Sequence, residues 1–272
     1  MNILITGKGT TQAWQVRAVQ LGEKLGAQVV AKATIQQIKQ ADLVITVKHT
    51  QPYIEHARIS VLDIVDAYPQ PNSAIWTADQ SISWCKNYTK QYTYTIAATE
   101  KMKQDIGSDF WLRHHYRPGL NENQIRQNIQ TIGYEGSARY LGEYLPIIEQ
   151  QCRRRGWQFV VNPIDISTCD VLLAVRDKAW RGYATDNWKS CIKMANAIGS
   201  LTPFIAISEC GYRETNLPFI AIDKPSDLIS ALDKINDFNL RSDIAQQYKQ
   251  AKPYYSLETI GQEYKKWLIS KF

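Results

Sequence analysis

The sequence predicts an α/β protein built from two doubly wound domains, and three observations support this class. Short apolar segments alternate with amphipathic ones along most of the chain, as in strand–helix–strand units. The apolar segments are rich in β-branched residues and mostly unalternating, which is typical of parallel strands buried on both faces. The 272 residues correspond to about two domains of roughly 150 residues each.

The first half supplies one series of these segments. Predicted strands lie at Asn2–Thr6, Ala27–Ala31, Asp42–Val47, Ile59–Val65 and Tyr94–Ala98. Predicted helices lie at Gln12–Leu25 and Thr34–Lys39. We expect right-handed crossovers between parallel strands.

A second series starts after a turn-rich segment that contains Pro118-Gly119. Its predicted strands lie at Thr131–Gly133, Gln158–Val161, Val171–Val175, Phe204–Ile207 and Pro218–Ile222. Its predicted helices lie at Tyr140–Arg154 and Lys189–Ala197, after Ser226, and at Ser256–Ser270. We therefore predict an N-terminal domain over residues 1–117, a C-terminal domain over 118–252 and a final helical segment over 253–272.

Composition narrows the function classes. A hydrophobic fraction of 44% with 21% charged residues excludes a disordered chain, a collagen-like repeat and a coiled coil. The net charge of +6 favours an anionic ligand without requiring nucleic acid. Five cysteines without a C-x-x-C pair argue against structural zinc and a disulfide framework. With no long apolar run and a strand-like start, MNILITGKG, we expect no membrane span, no signal peptide and a cytoplasmic location.

A glycine-rich turn follows the first predicted strand. Gly7-Lys8-Gly9-Thr10-Thr11 leads into a helix, where glycine amides and a helix N-terminus favour an anion. Neither the Gly-x-Gly-x-x-Gly spacing nor a Walker ending is present. Gly9 is a candidate phosphate contact, and the alternative is a tight strand-to-helix turn.

Two further strands of the first half deliver titratable side chains at their carboxyl ends, where doubly wound sheets bind ligands. Lys48 and His49 follow ADLVITV, and Asp66 follows RISVLDIV. A carboxylate or imidazole there can take a proton from a hydroxyl, so Asp66 and His49 are candidate catalytic bases. The alternatives are a cap or turn carboxylate for Asp66 and a solvated Lys–His pair.

The second half repeats this arrangement with more cations. Gly136-Ser137 follows a strand and is a candidate phosphate cradle, with a helix N-cap by Ser137 as the alternative. Arg176 follows the strand at 171–175, where a guanidinium suits bidentate phosphate contact, or it is a surface arginine. Lys189 and Lys193 are four residues apart, so we predict one helical face for a diphosphate, or a solvated face.

These motifs make the second half resemble the nucleotide-sugar-binding half of GT-B glycosyltransferases. The similar features are a strand, turn and long helix (TIGYEGSARYLGEYLPIIEQ), a strand ending in a basic residue, and a lysine-containing helix with Gly-x-x-x-Pro and a strand (KSCIKMANAIGSLTPFIAI). The resemblance covers roughly residues 112–250, and the N-terminal part only in outline.

The resemblance implies two Rossmann-like domains facing across a cleft, with the donor bound mainly by the second and the acceptor by the first. It also implies that the final helix crosses back to the first domain. Transfer in this class is usually metal-independent, because basic side chains stabilise the departing diphosphate. Arg176, Lys189 and Lys193 would take that role, and no cofactor is expected beyond the donor substrate.

The sequence departs from the family at a glutamate pair. Many retaining members carry two glutamates eight residues apart, and the matching positions here are Trp188 and Asn196. Glu209 would instead hold ribose hydroxyls, with Gly211 and Tyr212 shaping the pocket, or Glu209 is a helix cap or surface residue.

The leading hypothesis is a metal-independent glycosyltransferase that moves a sugar from a nucleotide-diphosphate donor to a glycan or other hydroxyl acceptor. Asp66 or His49 acts as base if the reaction inverts the anomeric centre, whereas retention removes the need for a strong base. The alternatives are a non-catalytic nucleotide-sugar-binding protein and a sugar-nucleotide epimerase. Nucleic acid is not an expected partner, and the sequence does not define an oligomeric state.

Overall fold

A computed structural model describes residues 1–66 and 75–271, and the chain forms two compact units. The first unit comprises residues 1–114, 182–190 and 257–272, and the second comprises 115–181 and 191–256. Residues 67–74 of the predicted N-terminal domain and Phe272 of the predicted final helix lie outside the described residues. The final helix and the segment 182–190 thus group with the first unit, although both follow the start of the second half.

The first unit is built on a six-stranded parallel sheet of order β2-β1-β3-β4-β5-β6. Its strands are β1 Ile3–Gly7, β2 Gln28–Val30, β3 Leu43–Val47, β4 Ser60–Asp63, β5 Tyr94–Ala97 and β6 Phe110–Trp111. The register pairs Ile5 with Ile45 and Val61 with Tyr94.

Helices connect these strands. Helix α1 runs over residues 12–25 and includes a π-helical turn at Gln15–Gln20. The others are α2 Ile35–Gln40, α3 Ala78–Thr89, α4 Glu100–Ile106, α6 Tyr183–Trp188 and α11 Leu257–Ile269. Thr34 and Thr77 each form a capping box with the glutamine three residues later, which fixes where α2 and α3 begin.

The second unit carries a five-stranded parallel sheet of order β11-β10-β9-β7-β8. Its strands are β7 Thr131–Tyr134, β8 Gln158–Val161, β9 Val171–Ala174, β10 Phe204–Ile207 and β11 Ile220–Ile222. Its helices are α5 Tyr144–Arg155, α7 Ile192–Ser200, α8 Cys210–Arg213, α9 Asp227–Ile235 and α10 Phe238–Ala251.

Both faces of the first sheet are buried, which explains why its strands read as continuous apolar runs. Ile5 and Ile45 pack on one face with α11, whereas Leu4 and Val44 pack on the other with Trp188 of α6. Each unit therefore has its own hydrophobic core.

The predicted fold class is confirmed: two parallel α/β sheets with helices. The short strand β6 and the helices α3, α4, α6, α8 and α10 were not predicted. Helix α5 begins at Tyr144 rather than at Tyr140, because a separate 3-10 turn occupies Ala138–Tyr140. Among the described residues, no helix is both long and apolar enough to cross a membrane.

Candidate functional site

The strand orders place a topological switch point in each sheet. In the first sheet β1 lies between β2 and β3, and in the second β7 lies between β8 and β9. Connections from the two strands at such a point leave in opposite directions and open a crevice beyond their carboxyl ends. The predicted site residues after β1, β3, β7 and β9 therefore border these crevices.

Strained backbone marks the carboxyl ends of β3 and β4. Lys48 and Val65 have φ values of 67° and 68°, which is unusual for any side chain and most costly for the β-branched valine. The N–H of His49 donates to the carbonyl of Val47 at 2.8 Å, and that of Asp66 donates to the carbonyl two residues earlier at 2.7 Å. Such γ-turns with positive φ are rare, and backbone strain concentrates at functional sites.

Asp66 lies at this edge as the counter-ion of two lysines. Its Oδ2 accepts a hydrogen bond from Lys189 Nζ at 2.6 Å and lies 4.0 Å from Lys48 Nζ. The three side chains are between 14% and 20% exposed, so these pairs are partly shielded from solvent. The carboxylate is engaged with ammonium groups, which leaves it poorly placed to take a substrate proton.

His49 has a different environment on the neighbouring loop. Burial lowers the pKa of its imidazole below 6.5, and the positive charges of Lys48 and Lys8 lower the pKa further. The ring is therefore neutral at pH 7, which is the form that accepts a proton. Both predicted bases are therefore deprotonated, and they differ in that Asp66 is held by two ammonium groups.

The prediction that Lys189 and Lys193 share one helical face is wrong. Helix α6 ends at Trp188, Lys189 follows in extended conformation, and α7 begins only at Ile192. Lys189 belongs to the first unit with Asp66, and Lys193 belongs to the second.

A buried carboxylate on α4 holds the segment that carries Lys189. Oδ2 of Asp105 accepts hydrogen bonds from Tyr183 Oη and Trp188 Nε1, both at 2.8 Å, and Lys101 pairs with its other oxygen. Burial opposes the charged form of Asp105, but these hydrogen bonds lower its pKa overall. Because Trp188 is fully buried, the residue before Lys189 has a fixed position.

In the second unit, a buried ion pair joins the carboxyl ends of β9 and β10. Arg176 Nε donates to Glu209 Oε1 at 3.3 Å, and the two residues are 7% and 2% exposed. Glu209 Oε2 is buried and has no hydrogen-bond partner among the residues that the structure describes. A buried polar oxygen without a partner is costly, so this atom suits a ligand that donates a hydrogen bond.

The Gly136 turn after β7 is held by Asn162 at the end of β8. The N–H of Gly136 donates to Asn162 Oδ1 at 2.7 Å, and Asn162 Nδ2 donates back to its carbonyl at 3.0 Å. Gly136 has φ of 140°, and a Cβ there would lie 3.2 Å from Tyr134 Oη and 3.4 Å from Lys193 Nζ. The turn therefore brings Lys193 to the switch point, although the predicted backbone donor is already bonded.

Lys193 also lies over an aromatic ring, with its Nζ 4.5 Å from the centroid of Tyr134. Burial raises the pKa of that phenol to about 12, so the tyrosine stays neutral. The contact between Lys193 and this ring is therefore a cation–π contact with an uncharged phenol.

The remaining predicted residues occupy diverse positions. Ser137 precedes the 3-10 turn, and its side chain makes no capping hydrogen bond. Gly211 lies in α8 beside Tyr212, whose buried ring packs against Phe204 at a centroid distance of 5.3 Å. Gly9 packs closely, since a Cβ there would lie 2.6 Å from that of Ala31. This close packing is sufficient to explain why the position is a glycine, so a ligand contact is not needed to explain it.

The two positions that match the family's glutamates have structural partners. Trp188 is bound to Asp105, as described above. Asn196 Nδ2 donates to Glu135 Oε2 at 3.1 Å, and Asn196 Oδ1 accepts the N–H of Arg117 at 3.0 Å. Asn196 thus connects the segment around Arg117, at the start of the second unit, to the loop after β7 that carries Glu135.

An aromatic and guanidinium cluster beside Arg176 was missed by the sequence reasoning. The rings of Tyr140 and Trp180 meet edge to face at 5.0 Å, and the guanidinium carbons of Arg139 and Arg176 lie 4.8 and 5.0 Å from the Tyr140 centroid. The sequence offered one indication of this cluster, which is that its residues follow the predicted strands β7 and β9. Asn162 carried a similar signal, as the residue following a predicted strand.

Within residues 1–66 and 75–271, no group of three or more His, Cys, Asp or Glu side chains is arranged to hold a metal ion. The predicted absence of a metal remains a prediction, because it concerns the reaction.

Solved glycosyltransferases share this architecture at low sequence identity. The apo form of WaaB, a lipopolysaccharide outer core galactosyltransferase, matches with a TM-score of 0.61 and 10% identity over 100% of both chains. AviGT4, a glycosyltransferase involved in avilamycin A biosynthesis, matches with a TM-score of 0.56 and 10% identity, covering 100% of this chain and 99% of that one. The chain has the GT-B glycosyltransferase fold.

The GT-B fold prediction is thereby confirmed. A UDP-GlcNAc 2-epimerase from Neisseria meningitidis bound to UDP-GlcNAc also matches, with a TM-score of 0.55 and 8% identity over 99% of this chain and 100% of that one. No protein-family model and no curated sequence matches the chain. Identities of 8–12% define the GT-B fold alone, and the activity has to be argued from the residues.

Proposed function

We propose that this protein is a glycosyltransferase that moves a sugar from a nucleotide-diphosphate donor to an acceptor hydroxyl. The observation that carries the proposal is the buried Arg176–Glu209 pair, with its unpartnered Oε2, at the carboxyl ends of β9 and β10. A guanidinium beside a hydrogen-bond acceptor matches a nucleotide, which offers phosphate oxygens and ribose hydroxyls within a few ångströms.

In this proposal the second unit binds the donor. Glu209 Oε2 accepts a hydrogen bond from a ribose hydroxyl. Arg176 binds phosphate, and Lys193 binds phosphate beside the Gly136-Ser137 turn. The proximity of Lys193 Nζ to Gly136 supports its role, because bulk there would crowd the approach of an anion. Gly211 and Tyr212 then act behind Glu209, where the buried ring of Tyr212 supports the short helix that follows the carboxylate.

We propose that the departing diphosphate is stabilised by these cations without a metal ion. As the bond from the anomeric carbon to the diphosphate oxygen breaks, negative charge grows on that oxygen, and nearby cations lower the barrier. Lys189 contributes only if it exchanges its contact with Asp66 for a phosphate oxygen, because its ammonium is already hydrogen-bonded there.

For an inverting reaction, we propose His49 as the base. The neutral imidazole takes the proton of the acceptor hydroxyl. At the same time the hydroxyl oxygen bonds to the anomeric carbon, and the bond from that carbon to the diphosphate breaks. The lowered pKa of His49 supports this role. Asp66 then keeps Lys48 and Lys189 in place, and in a retaining reaction His49 would only contact the acceptor.

Two alternatives share the donor site. A sugar-nucleotide epimerase is favoured by the match to the Neisseria meningitidis enzyme, and would change the donor without any acceptor. A non-catalytic nucleotide-sugar-binding protein is favoured by the structural roles of Trp188 and Asn196, where many retaining members have glutamates. We propose a cytoplasmic location, which the five buried cysteines support because none of them forms a disulfide and reducing compartments keep thiols reduced.

A thermal-shift screen with UDP, GDP, ADP, CMP and their sugar conjugates tests the donor site. Ligand at 100 times its Kd stabilises the protein by about 2.7 kcal/mol, which raises the melting temperature measurably. Glu209→Gln should remove about half of the shift or more, whereas Lys265→Gln, which replaces an exposed cation on α11, should leave it unchanged. A shift that Glu209→Gln does not reduce, or no shift with any of these ligands, would contradict the proposed site.

Product analysis then separates the three activities. A transferase releases nucleoside diphosphate faster when an acceptor is supplied, and EDTA should not slow it. An epimerase converts the sugar nucleotide with no acceptor, and a binding protein leaves it intact.

A further inference from the structure

A cavity of about 480 Å³ lies at the outer edge of the first sheet, between β6 and α11. Its lining residues are Phe110, Trp111, Arg113, Glu263, Lys266, Trp267 and Ser270. Strand β6 is separated from β3, and so from the His49 loop, by β4 and β5. The cavity is therefore separate from the His49 loop, and its volume falls in the range of roughly 300–1,000 Å³ typical of small-molecule sites.

Aromatic rings form the walls of this cavity. Phe110 and Trp267 stack with centroids 4.9 Å apart and planes 7° apart, and Trp111 of the same strand is half-buried. Tyr94 meets Trp267 edge to face at 6.1 Å. This continuous packing holds the wall rigid, so an apolar ligand would enter a preformed surface.

The charged groups around the cavity are mostly cations. Glu263 is paired with Arg113, and Lys266 adds a second positive charge to the lining. Lys271 lies nearby, with its Nζ 5.3 Å from the centroid of Tyr94. With the one acid already paired, the rim attracts an anion.

We propose that this cavity binds an amphipathic anion, a molecule with an apolar chain and a single carboxylate head such as a long-chain fatty acid. The chain packs against Phe110, Trp111 and Trp267, and the head pairs with Lys266. Charge complementarity selects the anion over a neutral amphiphile, because the head meets cations at the rim of an apolar space. The proposal does not depend on the glycosyltransferase activity.

Tryptophan fluorescence tests this binding directly, because two of the wall residues are tryptophans. Dibromostearate below its critical micelle concentration should quench the fluorescence saturably, since bromine quenches indoles only at contact, and stearate should compete. Trp111→Phe should reduce the quenching. Stearyl alcohol, with a neutral head, should compete about tenfold less well than stearate.

Three variants separate the cavity from the surface around it. Ser270→Trp fills the opening from an exposed position and should abolish stearate binding in a calorimetric titration, a readout that the added indole does not disturb. Lys266→Glu should weaken binding about tenfold or more, whereas Lys265→Glu makes the same charge change outside the lining and should have little effect.

The proposal is overturned by any of three results. These are no saturable quenching by monomeric dibromostearate, equal effects of Lys266→Glu and Lys265→Glu, or binding that survives Ser270→Trp. Binding seen only with phosphatidylglycerol vesicles would also overturn it, because the charged surface of α11 would then adsorb to a membrane without using the cavity.

Discussion

Replacing Glu209 by glutamine should weaken nucleotide binding through one contact, the ribose hydroxyl proposed for Oε2. The amide keeps the volume of the side chain and an oxygen for Arg176, but removes the negative charge. A hydrogen bond to a buried charged group contributes about 1.5–3 kcal/mol, so the Kd should rise about 10- to 150-fold.

The same substitution perturbs the ion pair, and this effect must be separated from binding. At the observed Nε–Oε1 distance of 3.3 Å, the gross attraction is about 5 kcal/mol at an effective dielectric constant of about 20, before desolvation. Urea unfolding of Glu209→Gln would therefore establish first that the variant is folded at the assay temperature.

Calorimetric titration with the preferred nucleoside diphosphate and its 2′- and 3′-deoxy forms then isolates the contact. If Oε2 accepts a hydrogen bond from one ribose hydroxyl, the matching deoxy ligand should bind the wild-type protein more weakly by about the free energy that Glu209→Gln costs. The same deoxy ligand should bind the variant about as well as the full nucleotide does. Additive losses for both deoxy forms would refute the contact and remove the main support for the donor site.

Four other predictions follow from the described contacts. Lys193→Ala should weaken diphosphate binding by about 1–3 kcal/mol in calorimetry, whereas Lys189→Ala should weaken it less; the reverse order would contradict the donor assignment. Because a base must be deprotonated and burial lowers the pKa of His49 in the free protein, the acid limb of the kcat/KM–pH profile should fall below pH 6.5, and His49→Gln should lose the limb with most activity. Gly9→Ala should lower the free energy of unfolding by about 1–3 kcal/mol in thermal unfolding and leave the nucleotide affinity of the folded protein unchanged. A loss of affinity without a loss of stability would instead indicate that Gly9 contacts phosphate. Asp105→Ala should cost about 1–3 kcal/mol in urea unfolding, because it leaves the buried indole of Trp188 and the partly buried phenol of Tyr183 without their acceptor. A loss under about 1 kcal/mol would show that other contacts hold the segment 182–190.

The two predicted bases differ in a way that only neighbouring charges determine. Asp66 and His49 both follow strands and both have a side chain able to accept a proton. The structure pairs Asp66 with two ammonium groups, and places His49 where burial and positive charge keep its ring neutral. Which of the two side chains suits a base depends on Lys189, which binds Asp66 and is 123 residues from it in sequence.

The sequence by itself determined most of the strands and the class of the sheets. Apolar β-branched runs of four or five residues predict buried parallel strands because both faces are covered, and this is a local property of the pattern. Residues after such runs, such as Arg176, could be selected because ligands bind beyond the carboxyl ends of parallel strands. Glu209 was selected through the resemblance to GT-B glycosyltransferases.

The tertiary structure decided which of these residues meet. Lys189 and Lys193 have the spacing of a helical face, but the buried bonds of Asp105 to Tyr183 and Trp188 hold the preceding segment in the first unit. Those bonds join residues about 80 positions apart, so no local periodicity reports them. A buried carboxylate with three donors outweighs the helix propensity of a few residues, which is worth only tenths of a kilocalorie each.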